Sequence, residues 1–231
     1  MRRTSLSYVP DGGLDTLHSA NEEEFMADEL VFYTNPMSRG RIARWMLEET
    51  GVPYKTEIMT FGGTMKAPEY LAVNPMGKVP AIRHGKTIVT ECAAICAYLA
   101  ETFPEAGLAP TSDERGSYYR WMFFTAGPLE AAATNKALGF ETPPDKARMA
   151  GYGSFADVMN ALEGAVSATP YVAGNRFTGA DVYVGSHIGW GMSTGTLEKR
   201  PAFLNYLGRI SDRPAYKRAT AIDDEAMKAA Q

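Results

Sequence analysis

The chain is poor in the residues that metal centres, disulfide frameworks and nucleic-acid surfaces need. Its 231 residues contain two cysteines and three histidines. His18, His84 and His187 are far apart and fall into no metal-ligand spacing, so no metal site is expected. Cys92 and Cys96 stand four residues apart in one expected helix, stacked on one face but too distant for an unstrained disulfide. Free thiols of this kind point to a reducing cytoplasm, and Cys96 reads as a small buried apolar side chain. Positive charge is also scarce: 23 Lys and Arg against 27 Asp and Glu give a net charge of −4, with no basic stripe for nucleic acid. No apolar run approaches the roughly 20 residues that would span a membrane. What the chain does have is 45% hydrophobic and 22% charged residues, a globular composition with apolar material enough for two cores.

Residues 1–28 are polar, with Gly12-Gly13 and the acidic cluster Glu22-Glu23-Glu24. They have no apolar central region, so they read as a disordered extension and not as a secretory signal, with Met26 an alternative start. From Leu30 the pattern becomes regular. A strand over Leu30–Tyr33 leads to a helix over Arg39–Thr50, with Ile42, Trp45 and Met46 at helical spacing and Gly51 as its stop. A strand over Tyr54–Met59, a short helix over Pro68–Val73 and two strands joined at His84-Gly85 follow, then a helix over Thr90–Thr102. The order β-α-β-α-β-β-α makes an α/β unit of residues 29–103. Residues 104–111, with Pro104, Gly107 and Pro110, are the expected linker.

Residues 112–231 show no convincing strand and read as all-α. Thr111 and Glu114 form a capping box at the start, and Gly127-Pro128 should bend or break the helix that follows. Pro143-Pro144 separates it from a helix ending near Ala168. Thr178 and Asp181 open a third helix, which runs to about Met192. Shorter helices are expected over Pro201–Ser211 and Pro214–Ile222.

The most informative run is Asn74-Pro75-Met76-Gly77-Lys78-Val79-Pro80-Ala81-Ile82, followed nine residues later by Glu91-Cys92-Ala93-Ala94-Ile95. Pro80 has no N–H to give to a sheet ladder. A cis bond at Val79–Pro80, which costs only about 0.5–1 kcal/mol before proline, would turn the chain sharply ahead of a strand. Val79 would then offer its N–H and C=O to a ligand lying alongside as an extra strand. The helix start at Glu91-Cys92 offers free N–H groups to a carboxylate. Such an edge recognises a peptide main chain, not a phosphate or a base.

Three segments together resemble the cytosolic glutathione S-transferases, of bacterial type, over about Leu30 to Ala219. The Asn74–Ile82 run is similar to that family's cis-proline loop. Thr90-Glu91-Cys92-Ala93-Ala94-Ile95 is similar to its E-S-x-A-I segment, with Cys where Ser is usual. Gly174-Asn175-Arg176-Phe177-Thr178-Gly179-Ala180-Asp181 is similar to its G-x-x-[ST]-x-A-D box, with Thr178-Gly179-Ala180-Asp181 as [ST]-x-A-D and one residue more after Gly174. The resemblance implies a thioredoxin-like α/β N-terminal domain, an all-α C-terminal domain carrying an electrophile pocket, glutathione as co-substrate and a homodimer. It implies a transferase that holds the glutathione thiolate for attack on small hydrophobic electrophiles. A glutathione-dependent peroxidase or disulfide reductase, and a non-catalytic binding module, are the alternatives on the same scaffold.

The resemblance also distributes roles. Glu91 would accept from the ammonium of the γ-glutamyl end, and Cys92 would meet its carboxylate, mostly through the backbone N–H because a thiol is a weak donor. Lys78 would pair with the glycyl carboxylate, and Val79 and Pro80 would hold the main chain. The thiolate contact falls in Tyr33-Thr34-Asn35-Pro36-Met37-Ser38-Arg39. A thiol of pKa about 8.5 needs about 1.4–2.8 kcal/mol to come down by one or two units, and a hydrogen bond to a charged acceptor supplies about 1.5–3 kcal/mol. Ser38 is the first choice for that hydroxyl, with Asn35, Thr34 and Tyr33 as alternates and helix N-capping as its other role. Tyr118, Trp121 and Trp190 are the candidates for the electrophile pocket, among large residues that at helical spacing also build cores.

Overall fold

A computed structural model of the chain describes residues 29–229. The extension expected over residues 1–28 lies outside the described residues. Strand β1 (Leu30–Thr34) leads into helix α1 (Gly40–Thr50), then strand β2 (Lys55–Ile58) and the one-turn helix α2 (Pro68–Leu71). Strands β3 (Ala81–His84) and β4 (Thr87–Thr90) form a hairpin, and α3 (Cys92–Thr102) packs back on the sheet. The sheet has four strands in the order β2-β1-β3-β4, with β2 parallel to β1 and the other pairs antiparallel. This is the α/β unit that the element order predicts, in the thioredoxin-like arrangement that the resemblance implies.

The register of the sheet collects the three sequence runs at one end. Tyr33, near the end of β1, is opposite Ala81, the first residue of β3, and Ala81 is opposite Thr90, the last of β4. The loop after β1, the Val79–Pro80 segment before β3 and the Glu91-Cys92 helix start after β4 therefore emerge together. The Val79–Pro80 bond is cis. Gly40 lets α1 begin directly on the strand end, since a Cβ there would lie 1.9 Å from the Thr34 Oγ1.

Beyond a 3-10 turn at Pro104–Ala106 the chain is helical: α4 (Arg115–Phe124), α5 (Glu130–Ala137), α6 (Phe155–Ala168), α7 (Gly179–Thr194), α8 (Pro201–Ile210) and α9 (Pro214–Ala229). Thr111 and Glu114 exchange the expected reciprocal bonds just ahead of α4. Around Pro128 the α-ladder gives way to a π-turn over Thr125–Leu129, the local answer to a residue with no N–H. Helix α7 is the axis of this half, with Val182, Val184 and Ile188 fully buried. The Thr178 N–H donates to the Asp181 carboxylate at 2.8 Å, and that carboxylate also accepts from the Val172 N–H and the Tyr206 hydroxyl. Helix α9 continues to Ala229, beyond the Ile222 expected from sequence, because it packs along α1 and is tied to it by charge. Arg213, Arg218, Asp223 and Asp224 pair with Glu49, Glu48, Arg44 and Arg41 respectively.

Candidate active site

A cavity of about 300 Å³ opens at the collecting end of the sheet, lined by Met37, Ser38 and Arg39, by Phe61, Gly62, Met65 and Lys66, and by Gly77, Lys78 and Val79. That volume is at the lower end of the range of small-molecule sites, roughly 300–1,000 Å³. Ser38, Lys78 and Val79 thus share one wall-to-wall space although 40 residues of sequence separate the loop from the proline run. Pro80 is buried just behind Val79.

The floor of the cavity is built by hydrogen bonds to backbone. Asn74 is buried; its Oδ1 accepts from the Met76 N–H at 3.0 Å and its Nδ2 donates to the Lys78 carbonyl at 2.8 Å. The Tyr70 hydroxyl donates to the same carbonyl at 2.6 Å. Burial pushes that phenol up to about 12, so it stays a donor. Gly77 is required here: its φ is +57°, and a Cβ would sit 2.7 Å from the Met65 carbonyl oxygen. Asn74 and Tyr70 were not singled out from sequence. The signal was present in Asn74, whose side chain closes a turn on the backbone two residues on.

Of the four candidates for the thiolate contact, Ser38 lines the cavity and Tyr33, Thr34 and Asn35 do not. Ser38 Oγ donates to the Asn35 carbonyl at 2.6 Å and accepts from the Gly40 N–H at 2.9 Å, so it satisfies one free N–H at the start of α1, whose N-cap position itself falls on Arg39. It is half-buried and lines the cavity. Asn35 is held by the Met59 carbonyl through Nδ2 and by the Met37 N–H through Oδ1. Thr34 is fully buried, with a hydroxyl that has no partner among the described residues. Tyr33 is half-buried and packs on Tyr70, ring centroids 5.5 Å apart.

Glu91 and Cys92 sit at the start of α3. Glu91 is exposed and has φ +64° and ψ 116°, the one described non-glycine residue with positive φ. Such a conformation costs of order 1–3 kcal/mol and persists where the surroundings impose it. Cys92 is buried and its thiol points to the Arg39 carbonyl at 3.7 Å, joining α3 to the loop before α1. Cys96 is fully buried, and the neighbouring Cys92 thiol together with burial pushes its thiol well up, away from reactivity.

Tyr118 and Trp121 are buried in the core and Trp190 is 58% exposed; none of them lines this cavity. At Tyr118 and Trp121 the aromatic spacing serves packing: Trp121 lies against Phe124 and Tyr118 against Tyr119, at 5.2 Å each. A polar cluster that sequence did not reveal bridges the two halves. Arg39 is ion-paired to Glu130, and the Nε2 of His187 is 3.5 Å from the other oxygen of that carboxylate. Among the described residues, no group of three or more His, Cys, Asp or Glu is placed to hold a metal ion. No helix among them is long and apolar enough to cross a membrane.

Fold and cavity together define a thioredoxin-like sheet joined to a helical bundle, with a ligand space at the sheet's end. Residues 37–102 match the family described as glutathione S-transferase, N-terminal domain. The chain is 28% identical over 211 residues to glutathione S-transferase F10 of Arabidopsis thaliana, covering 83% of this chain and 96% of that one. It is 25% identical over 173 residues to glutathione S-transferase GST-4.5 of Xanthomonas campestris, covering 72% and 84%. A glutathione transferase crystal structure from Methylococcus capsulatus superposes with a TM-score of 0.69 at 28% identity, covering 84% of this chain and 98% of that one. A sphingomonad glutathione S-transferase complexed with glutathione superposes at 0.68 with 27% identity, covering 84% and 98%. Residues 37–102 thus match the glutathione S-transferase N-terminal domain, and most of the chain is similar to glutathione S-transferases.

Proposed function

We propose that the protein binds glutathione in the 300 Å³ cavity and stabilises its thiolate for attack on small hydrophobic electrophiles. The observation that carries this reading is the convergence of Ser38, Lys78 and Val79 on one space, set by the register of β1, β3 and β4. The tripeptide lies along Val79 in strand fashion, its glycyl carboxylate near Lys78 and its γ-glutamyl end at Glu91 and the Cys92 N–H. Its sulfur points to Ser38. The second substrate lies against Met37 and Phe61, exposed apolar side chains of the same cavity, with Trp190 and the helical half beyond.

Magnitudes decide how much Ser38 can do. Its only hydroxyl proton is given to the Asn35 carbonyl and must turn to the sulfur, exchanging a neutral bond for a charged one. A neutral bond contributes about 0.5–1.5 kcal/mol and a charged one about 1.5–3, a net gain near 1–1.5 kcal/mol. That lowers the thiol by about one unit; the N–H groups at the start of α1 supply the rest.

The protein works in the cytoplasm as a homodimer, with residues 29–103 binding glutathione, 104–111 linking and 112–231 forming the helical domain. The test is the absorbance titration of bound glutathione thiolate in wild type and Ser38→Ala, with turnover of an aryl halide, a hydroperoxide and a mixed disulfide. Ser38→Ala should raise the bound thiol by about one unit and slow aryl halide turnover about tenfold. An unchanged titration would remove Ser38 from its role. Turnover of the peroxide or disulfide alone would replace the transferase reading by a peroxidase or reductase, and no turnover with weak glutathione binding would leave a binding module.

A further inference from the structure

The Arg39–Glu130–His187 cluster reaches the cavity wall through Arg39 and joins it to the helical half. The Arg39 side chain is 56% exposed and lines the cavity one residue after Ser38, and its guanidinium is ion-paired to Glu130, the first residue of α5. Glu130 is half-buried. His187 on α7 first holds its carboxyl below the usual carboxylate range and Arg39 adds to this, against the cost of burial, so Glu130 is an anion. Behind it His187 is nearly enclosed, with its ring 4.5 Å from that of Tyr183.

The hydrogen bonds of the imidazole define its state in this arrangement. Nδ1 is 2.9 Å from the Tyr183 carbonyl, an acceptor only, so Nδ1 carries the proton. Nε2, which faces the Glu130 carboxylate at 3.5 Å, can donate to it only when the ring carries a second proton. Glu130 meets Arg39 through one oxygen and faces the enclosed His187 ring with the other, so Arg39 can exchange this carboxylate for another anion while Glu130 keeps a polar neighbour. Arginine also presents five donors, of which Glu130 engages a single nitrogen.

We propose that Arg39 is the specificity residue for the second substrate and selects electrophiles that carry an anionic group such as a carboxylate, with Glu130, backed by His187, as the internal counter-ion that the substrate must displace. The inference rests on the transferase reading above and names the substrate class for that same site.

The experiment compares kcat/KM for a chloronitrobenzoate and a neutral chlorodinitrobenzene, at fixed glutathione, in wild type, Arg39→Met, Arg39→Lys and Glu130→Gln. Arg39→Met should lower the anionic-to-neutral ratio about tenfold or more, and Arg39→Lys should restore part of it. Glu130→Gln should raise the ratio, because the competing charge is gone while the side-chain shape is kept. A purely structural cluster would instead make both variants lower turnover of the two substrates alike, and that result would overturn the proposal. So would a loss confined to glutathione affinity, which would assign Arg39 to the tripeptide. If wild type turns over neither substrate, the transferase reading has failed; calorimetry with nitrobenzoate then decides the anion site by itself. Binding abolished in Arg39→Met supports it, and equal binding overturns it.

Discussion

Arg44 and Asp223, separated by 179 residues, meet at 2.7 Å with 2% and 0% of their side chains exposed. Arg44 also reaches the Tyr54 and Thr56 hydroxyls and lies over the Phe32 ring at 5.1 Å. One buried ion pair thus ties the last helix, the first helix and the edge of the sheet together.

Breaking that pair leaves an uncompensated charge in the interior. Asp223→Ala should cost about 3–5 kcal/mol in urea unfolding, whereas Arg44→Met with Asp223→Leu should recover about half or more, since two apolar side chains leave no orphan charge. Equal losses for the single and double variants would mean that the pair acts by packing, not by charge.

The pinned Lys78 carbonyl separates positioning from contact. Asn74→Ala removes a buried acceptor and a buried donor, so stability should fall by about 1–3 kcal/mol and glutathione affinity several-fold with it. Lys78→Ala, an exposed side chain, should weaken glutathione binding with almost no change in unfolding midpoint. Calorimetry and denaturant curves on both variants check this; an Asn74→Ala protein that binds normally would show the loop to hold its shape without that side chain.

Glu114 gives a pH dependence of definite sign. Burial alone would raise its carboxyl, but the Thr111 N–H and hydroxyl and the Arg176 guanidinium outweigh it, and the folded value is below the ordinary 4.5. A carboxyl depressed by folding contributes stability that is fully present above 4.5 and is lost as pH falls through the lowered value. Glu114→Gln should therefore be less stable than wild type at neutral pH, and the gap should close in acid. A gap that persists unchanged into acid would assign the effect to the hydrogen bonds and not to charge.

Much of this architecture was legible locally. Gly51 in the left-handed region at φ +71° closes α1 where expected, Pro128 disturbs its helix, and Thr178 with Asp181 opens α7. Each depends on the conformational range or donor count of one or two residues, which sequence states directly. The cluster around Arg39 was hidden for the opposite reason: its members lie on a loop and two helices far apart in the chain, and no local period brings them together. Tyr118 and Trp121 show the same limit, because an aromatic stripe at helical spacing looks alike whether it faces a core or a cleft.

By itself the order of residues determined which segments would be strand, helix and turn, and which side chains carry donors, acceptors and thiols. Tertiary structure alone decided that the ends of β1 and β4 and the start of β3 share one edge, that α9 returns to α1, and that Arg39 faces Glu130. The reason is physical: secondary structure answers to neighbours within about four residues, whereas register, helix packing and buried charge pairing depend on partners that only the folded chain brings within reach.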